Sequence, residues 1–351
     1  MGIARKPDPL TPDLWELAGV LHFHTRHSDG GASLFDVLQA ADESDVDFMV
    51  VTDHHGLRPK REGFEGWYGN VLLIVGEEIG REEGHFMAVG HRHGLRSLAE
   101  GLESELRRAR RLGANSFLTH PDGKGARLLG IVDHRWKRRD AESFDGLEIW
   151  SYMHDWLSHL RPWNAPWAIL SPSRLIRGPS RETLTLWDRL GGKRRVPAFG
   201  GLDGHSRKLF GLFWDFPYSA LFRTIRTHVL VHPLRHQTVP DRDAVLDALV
   251  KGRGHIADDS VADSTGFRFV GRHGNQRLLP GDETHPHCAV ELTIQCPSSP
   301  DCLIRVIRDG DEIAQAEAGA HRMKVDAPGV YRVEVLLRGK AWIFSNPLYL
   351  R

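Results

Sequence analysis

The sequence predicts an α/β unit followed by an all-β region, and three observations predict it. From Leu21 to about Gly200, short apolar runs alternate with amphipathic stretches, as strands alternate with helices around a largely parallel sheet. Beyond about residue 262 the apolar period falls to two and helical patterning disappears. Histidines and acids follow the apolar runs of the first region, where the loops after strands build active sites.

The elements read in order. LHFHT opens a strand, and after SDGG a helix runs from Leu34 to about Ala41, with Ser33 at its N-cap and Asp36 completing an approximate capping box. VDFMVVTDH leads to His54, VLLIVGEEI ends at Ile79, and FMAVG is another short strand. Leu98 to Leu112 reads as a helix stopped by Gly113. NSFLTHP, FDGLEIW and RVPAFGGLDGH supply further strand ends. Asp241 to Leu249 reads as a helix with Arg242, Asp243 and Asp247 toward solvent, and Arg253 to Asp258 as a transition. GFRFVGR, AVELTIQC, LIRVIRDG, HRMKVDA, GVYRVEVLL and AWIF then read as short alternating strands, with turns at Asp309-Gly310 and Pro328-Gly329. GVYRVEV has the alternation of a half-buried strand. The expected division is residues 15–260 and 262–351, the second a β-sandwich-like unit.

Composition excludes some functions. Lys plus Arg and Asp plus Glu are 46 each among 351 residues, so the net charge of zero argues against nucleic acid as a partner. No run reaches the 18 apolar residues of a membrane span, and MGIARKPDPL lacks a signal-peptide core, so a soluble cytoplasmic protein is expected. Cys288, Cys296 and Cys302 form no disulfide framework and are expected reduced. The outstanding count is histidine, at 21.

Those histidines concentrate at strand ends. His22 and His24 lie two apart, so an extended strand would put both imidazoles on one face. Asp29 follows in a glycine turn that can bring its carboxylate back over the strand end. His54, Glu78, His85 and His120 follow, and Asp203 and His205 repeat the spacing of two. Asp53, on the opposite side of its strand, is expected to orient a histidine, and Glu77 to face away from Glu78. Burying nine such groups together is costly unless cations neutralise them. Mixed nitrogen and oxygen donors fit manganese, zinc or iron better than calcium. Nine donors are too many for one ion, which implies two or three, with Glu78 as the bridging acid. A hydroxide held between two ions is a nucleophile at neutral pH, so hydrolysis is expected.

HxHTxxSDG at His22–Gly30, TDHH at Thr52–His55, GEE at Gly76–Glu78, HP at His120–Pro121 and GxDGH at Gly201–His205 resemble the polymerase and histidinol phosphatase (PHP) superfamily over residues 18 to 259. GVYRVEV followed by WIFSNPLY resembles its CehA/McbA-like branch, where a small β domain follows the catalytic unit. The resemblance implies a distorted (βα)7 barrel. It also implies a partition of ligands: His22, His24, Glu78 and Asp203 at one metal, Glu78 with His85 and His120 at a second, and Asp29, His54 and His205 at a third. His91 and His93 compete with His85 for its role. His27 is an extra imidazole beside the site, and His55 stands where many relatives carry asparagine.

The leading expectation is metal-dependent hydrolysis of a phosphomonoester or phosphodiester by a metal-bridging hydroxide. Asp203 would orient the hydroxide, and His205 or His54 would protonate the leaving group. Arg26, His55, Lys124 and Arg207 are candidate substrate contacts, arginine being suited to bidentate grip on phosphate. The same hydroxide can attack a carbamate, amide or ester, which an apolar pocket using Trp67, Trp150 or Trp156 would favour. A noncatalytic, metal-supported binding protein is a third reading. The substrate expected is small, phosphorylated or carbonyl-containing. The β region would complete the rim of the first unit or support a homo-oligomer.

Overall fold

The computed structural model describes residues 8–54, 56–95, 101–125, 131, 133–137, 141–206, 208–209, 213–214, 216–297, 301–317 and 319–351. Its first helix, Leu34–Asp42, starts as the sequence predicts: the Asp36 backbone N–H donates to Ser33 Oγ, and the Ser33 backbone N–H donates to the Asp36 carboxylate. The helix expected over Asp241–Leu249 is longer, Thr238–Lys251, and ends on left-handed Gly252. Arg242 on it reaches Glu65 instead of solvent, and Asp241 is buried where it accepts from Trp67 Nε1 and the backbone of Arg235 and Gln237.

Two large sheets carry the first region. One has five strands, in the order Glu77–Arg81, Gly84–Val89, Asn115–Thr119, Gly146–Ser151 and Ala198–Gly201. The other has twelve and includes Gly66–Tyr68, Val71–Val75, Phe48–Val51, Trp15–Leu21, Ile225–Val231 and Gly254–Asp258 in that order. Neither sheet closes among the described residues, so the (βα)7 barrel implied by the resemblance is overturned while the α/β class stands. Two features account for this. Several neighbours are antiparallel, as in the hairpin of Glu77–Arg81 with Gly84–Val89, which departs from a uniform strand-helix repeat. Where the sheets meet, regular ladders give way to single bridges, His54 to Glu78 and Phe23 to Gly204, and to isolated backbone hydrogen bonds such as Leu202 N–H to Leu21 O. At the second seam His22 and Asp203 adopt positive φ, 60° and 50°, which ends regular strand geometry on both sides.

The large sheet continues into the C-terminal strands. Lys340–Ser345 pairs antiparallel with Gly254–Asp258, and beyond it lie Gly329–Leu337, Cys302–Arg308 and Asp311–Glu317. A separate four-stranded sheet (Gln276–Leu278, Arg268–His273, Val290–Gln295 and Ala320–Val325) shares a core with them through Phe269, Leu292, Ile294, Val306, Val333 and Trp342. No helix occurs among the described residues after Lys251. Gly329–Leu337 is not half-buried as its alternation suggests, because helix Arg181–Gly191 covers its other face. There Arg332 grips Asp188 at 2.7 Å and Glu334 at 2.6 Å, so two charges are buried as a network. The three cysteines are free.

Opposite the seams, a second polar network ties the N-terminal strand to this region. His228 Nδ1 donates to Glu16 Oε1 at 2.9 Å and its Nε2 donates to Asp259 Oδ2 at 3.0 Å, so both nitrogens carry protons. Arg268 also pairs with Glu16, and the His255 ring stacks on His228 at 4.4 Å. Burial opposes the charge on His228, but Asp259 and Glu16 outweigh it and push its pKa up to about 9. A pKa raised on folding stabilises fully below the ordinary histidine value and is lost as pH rises through the folded one. The melting-temperature difference between wild type and His228→Asn should therefore shrink from about pH 7 to about pH 10. A difference that stays flat over that range contradicts a charged His228.

Candidate metal centre

The site lies along the two seams. His22 and His24 follow the Trp15–Leu21 strand, and Asp203 and His205 follow Ala198–Gly201. Backbone bonds lock these ends together: Asp203 N–H donates to His22 O at 2.6 Å and His24 N–H to Gly204 O at 2.8 Å. Tyr218 Oη donates to both His24 O and Gly204 O. His22 and His24 converge, but not through an unbroken strand period, because His22 is left-handed. Gly201 permits the approach: a Cβ there would lie 2.1 Å from Glu148 Oε1 and 2.9 Å from His22 Cβ. Gly30 plays the same part in the Asp29 turn, where a Cβ would meet His24 O at 2.1 Å.

Glu78 stands at the centre. Its Oε1 lies 3.3 Å from His22 Nε2 and 3.2 Å from both His85 Nδ1 and His120 Nε2. Its Oε2 lies 3.3 Å from His24 Nε2 and 3.7 Å from His54 Nδ1. Asp203 Oδ1 is 3.5 Å from His22 Nε2 and 3.4 Å from His24 Nε2. Across the turn, Asp29 Oδ2 is 3.2 Å from His205 Nε2 and its Oδ1 3.8 Å from His54 Nε2. Donor atoms thus gather, each group within 4.8 Å, as His22–His24–Glu78–Asp203, as Glu78–His85–His120, and as His24–Asp29–His54–His205.

The donor chemistry fits metal. His22 Nδ1 donates to Glu148 Oε1 at 2.9 Å, which leaves Nε2 as a lone pair facing the carboxylates of Glu78 and Asp203. His22 Nε2, both nitrogens of His24 and His120 Nδ1 are buried without a hydrogen-bonding partner. Acceptors facing acceptors repel unless a cation stands between them. In the bare cluster a proton takes that role. Burial opposes it, but Glu148, Glu78 and Asp203 raise the His22 pKa well above its ordinary value. For His24 burial is likewise outweighed, by the Asp203 and Glu78 carboxylates that face its Nε2 at 3.4 and 3.3 Å, and the pKa rises to about 9. Burial alone would raise Glu78 and Asp203, yet the surrounding imidazoles hold both well below the carboxylate range. His120 stays neutral, lowered to about 3 by burial and then by His154.

The other sequence candidates divide. Glu77 turns away, as its neighbour's register requires, and accepts from His91 Nε2 at 2.7 Å, which occupies one of His85's competitors. Among the described residues Asp53 has no histidine as a hydrogen-bonding partner. It accepts from Thr25 N, Thr25 Oγ1 and Ser28 Oγ at 2.6–2.7 Å and so shapes the turn that carries Asp29. Arg26 is exposed, with Nε donating to Gly31 O, and His27 pairs with Glu62. His55 and Arg207 lie outside the described residues. Lys124 lines a cavity of about 380 Å³ beside His120. Two participants escaped the sequence reading. Glu148 is the lone acid in the apolar strand GLEIWS and holds both His22 Nδ1 and the His120 backbone N–H. His154, just past that strand, lies 3.1 Å from Asp203 Oδ2 and packs on His120 at 4.2 Å.

No protein-family model and no curated protein matches the chain. Among solved structures, the chain is similar to a two-domain protein containing a predicted PHP-like metal-dependent phosphoesterase from Bacteroides vulgatus, at 16% identity over 99% of this chain and 100% of that one, with a TM-score of 0.44. It is similar also to an amidohydrolase from Chromobacterium violaceum with bound sulfate and no metal, at 15% identity over 53% and 87%, with a TM-score of 0.33.

Because Glu78 faces two donor groups, Glu78→Ala should lower bound metal in both, measured as ions per chain after reconstitution with manganese, zinc or iron. Glu77→Gln should leave that stoichiometry unchanged. The opposite ranking would contradict Glu78 as the shared carboxylate.

Proposed function

We propose that this chain is a metal-dependent phosphoesterase of the PHP type, in the CehA/McbA-like branch, acting on a small phosphorylated substrate. Two or three divalent transition ions (manganese, zinc or iron) would be held by His22, His24, Glu78 and Asp203, by Glu78, His85 and His120, and by Asp29, His54 and His205. Bound there, such ions activate water and offset the negative charge of a phosphoryl group. One observation carries the choice of phosphorus over carbonyl carbon. The cavity of about 380 Å³ that opens at His120 and His154 is lined by Lys124, Arg161 and Arg177, cations suited to an anionic ester, together with the acids Asp122, Glu148 and Asp155, of which Glu148 is held by His22 and Asp155 by Trp150 and backbone N–H groups. Of the candidate tryptophans only Trp150 is among the residues that line this cavity, and it is buried. Trp156 is buried in the core, Trp67 donates to Asp241, and Trp150 is buried with its Nε1 donating to Asp155.

The chain's own groups fit the reaction. Asp203, with one oxygen toward His22 and His24 and the other toward His154, orients the attacking water. As the P–O bond breaks, the departing oxygen would take a proton from His205, whose Nδ1 is fixed by Asp203 O at 3.0 Å, or from His54, in the two-ion form in which Asp29, His54 and His205 hold no metal. Residues 15–260 form the catalytic unit in this reading and residues 262–351 an accessory unit, in a cytoplasmic enzyme. Among the described residues no helix is long and apolar enough to cross a membrane.

A chromogenic phosphomonoester and phosphodiester screen of metal-reconstituted protein tests the proposal. Turnover should appear and should vanish with a chelator. Arg161→Ala or Lys124→Ala should raise KM for the phosphoester about tenfold, a loss of about 1.4 kcal/mol in binding, while leaving a neutral carboxylic ester unaffected. Turnover of carboxylic esters alone would move the assignment to carbonyl chemistry.

A further inference from the structure

We propose that His273, His287 and Cys288 form a second, solvent-open site for a zinc-class divalent ion, separate from the centre at Glu78. The antiparallel register brings them together. Arg268–His273 pairs with Val290–Gln295 with Arg272 opposite Glu291, so the end of the first strand lies beside the residues entering the second. His287 and Cys288 occupy that entry, on a bend that follows Pro286. One nitrogen from each histidine and the Cys288 sulfur lie within 4.8 Å of one another. The two rings meet at 4.5 Å and 65°.

The observation that points to a ligand is the state of His273. It is 8% exposed, and its Nε2 is buried with no hydrogen-bonding partner. A buried nitrogen left unsatisfied at a strand end is destabilising, and coordination in the same cluster offsets that cost. The partner donors are adaptable: His287 and Cys288 are exposed and Cys288 is a free thiol. Bonds of about 2.0–2.3 Å in a tetrahedral site place donors about 3.5 Å apart. From within 4.8 Å, rotation of the two exposed side chains closes the set. Imidazole and thiolate together select zinc-like ions over calcium or magnesium. Three protein donors leave the fourth position to solvent or to a ligand from outside, the arrangement of an exchangeable site.

Sulfur separates this site from the centre at Glu78, whose donors are nitrogen and oxygen alone. The test is titration of the full chain with cobalt(II) under reducing conditions, followed by thiolate-to-cobalt charge-transfer absorption in the near ultraviolet. The band should saturate at the intensity of one thiolate-bound cobalt per chain, whatever further cobalt the nitrogen and oxygen donors at Glu78 take up, and be displaced by zinc. It should disappear in Cys288→Ser and in His273→Gln and persist in Cys296→Ser. Since Cys288 is exposed, its replacement by serine keeps the fold, and phosphoester turnover by that variant should match wild type. Absence of the band, or its survival in Cys288→Ser, overturns the site.

Discussion

Glu78 carries a carboxylate that is almost wholly buried, and a buried carboxylate stays ionised only where positive charge or donors surround it. Here the Thr119 hydroxyl donates to it at 2.9 Å, and the imidazoles of His22, His24, His54, His85 and His120 fill the rest of its surroundings. These rings come from four separate segments of the chain. The positive φ of His22, His120 and Asp203 is the backbone cost of aiming donors at one point, and tight locks maintain it: Glu148 behind His22 and His120, and Tyr218 behind His24 and Gly204. A divalent ion satisfies the charge and the lone pairs together, which protons do only by charging imidazoles in a place where burial opposes it.

The same constraint explains the architecture. Regular pairing stops at the seams between the two sheets, where the isolated His54–Glu78 and Phe23–Gly204 bridges and a few single backbone hydrogen bonds take its place. A continuous ladder there would direct side chains alternately to either face. The interruption instead lets neighbouring segments turn their side chains inward. Away from the seams, apolar packing and the Arg332–Asp188–Glu334 and Glu16–His228–Asp259 networks hold the C-terminal strands and the N-terminal strand against the rest.

Much of the site was legible because strand-end histidines and acids stand out against apolar runs: His22, His24, His54, Glu78, His120 and Asp203 all end or follow such runs. Glu148 was harder, since a single acid within GLEIWS reads as a solvent-facing strand position, although an acid between apolar neighbours was itself a signal. His154 lies in helix Tyr152–His159, whose local pattern shows no reason to face inward. The part Asp53 plays in the turn at Thr25–Ser28 is not legible, because strand alternation says which side a residue takes but not which turn folds back over it. The closed barrel came from resemblance alone, and closure depends on pairing across residues whose left-handed φ no periodicity reveals. Arg332 and Glu334 looked solvent-facing because the helix covering them lies far away in sequence.

Anomalous diffraction from crystals grown with manganese or zinc, recorded on either side of the metal's absorption edge, tests the central claim most directly. The account predicts peaks between His22, His24, Glu78 and Asp203 and between Glu78, His85 and His120, with Glu78 contacting both. Crystals that show no anomalous density among these side chains, with the imidazoles hydrogen-bonded directly to the carboxylates, would contradict it.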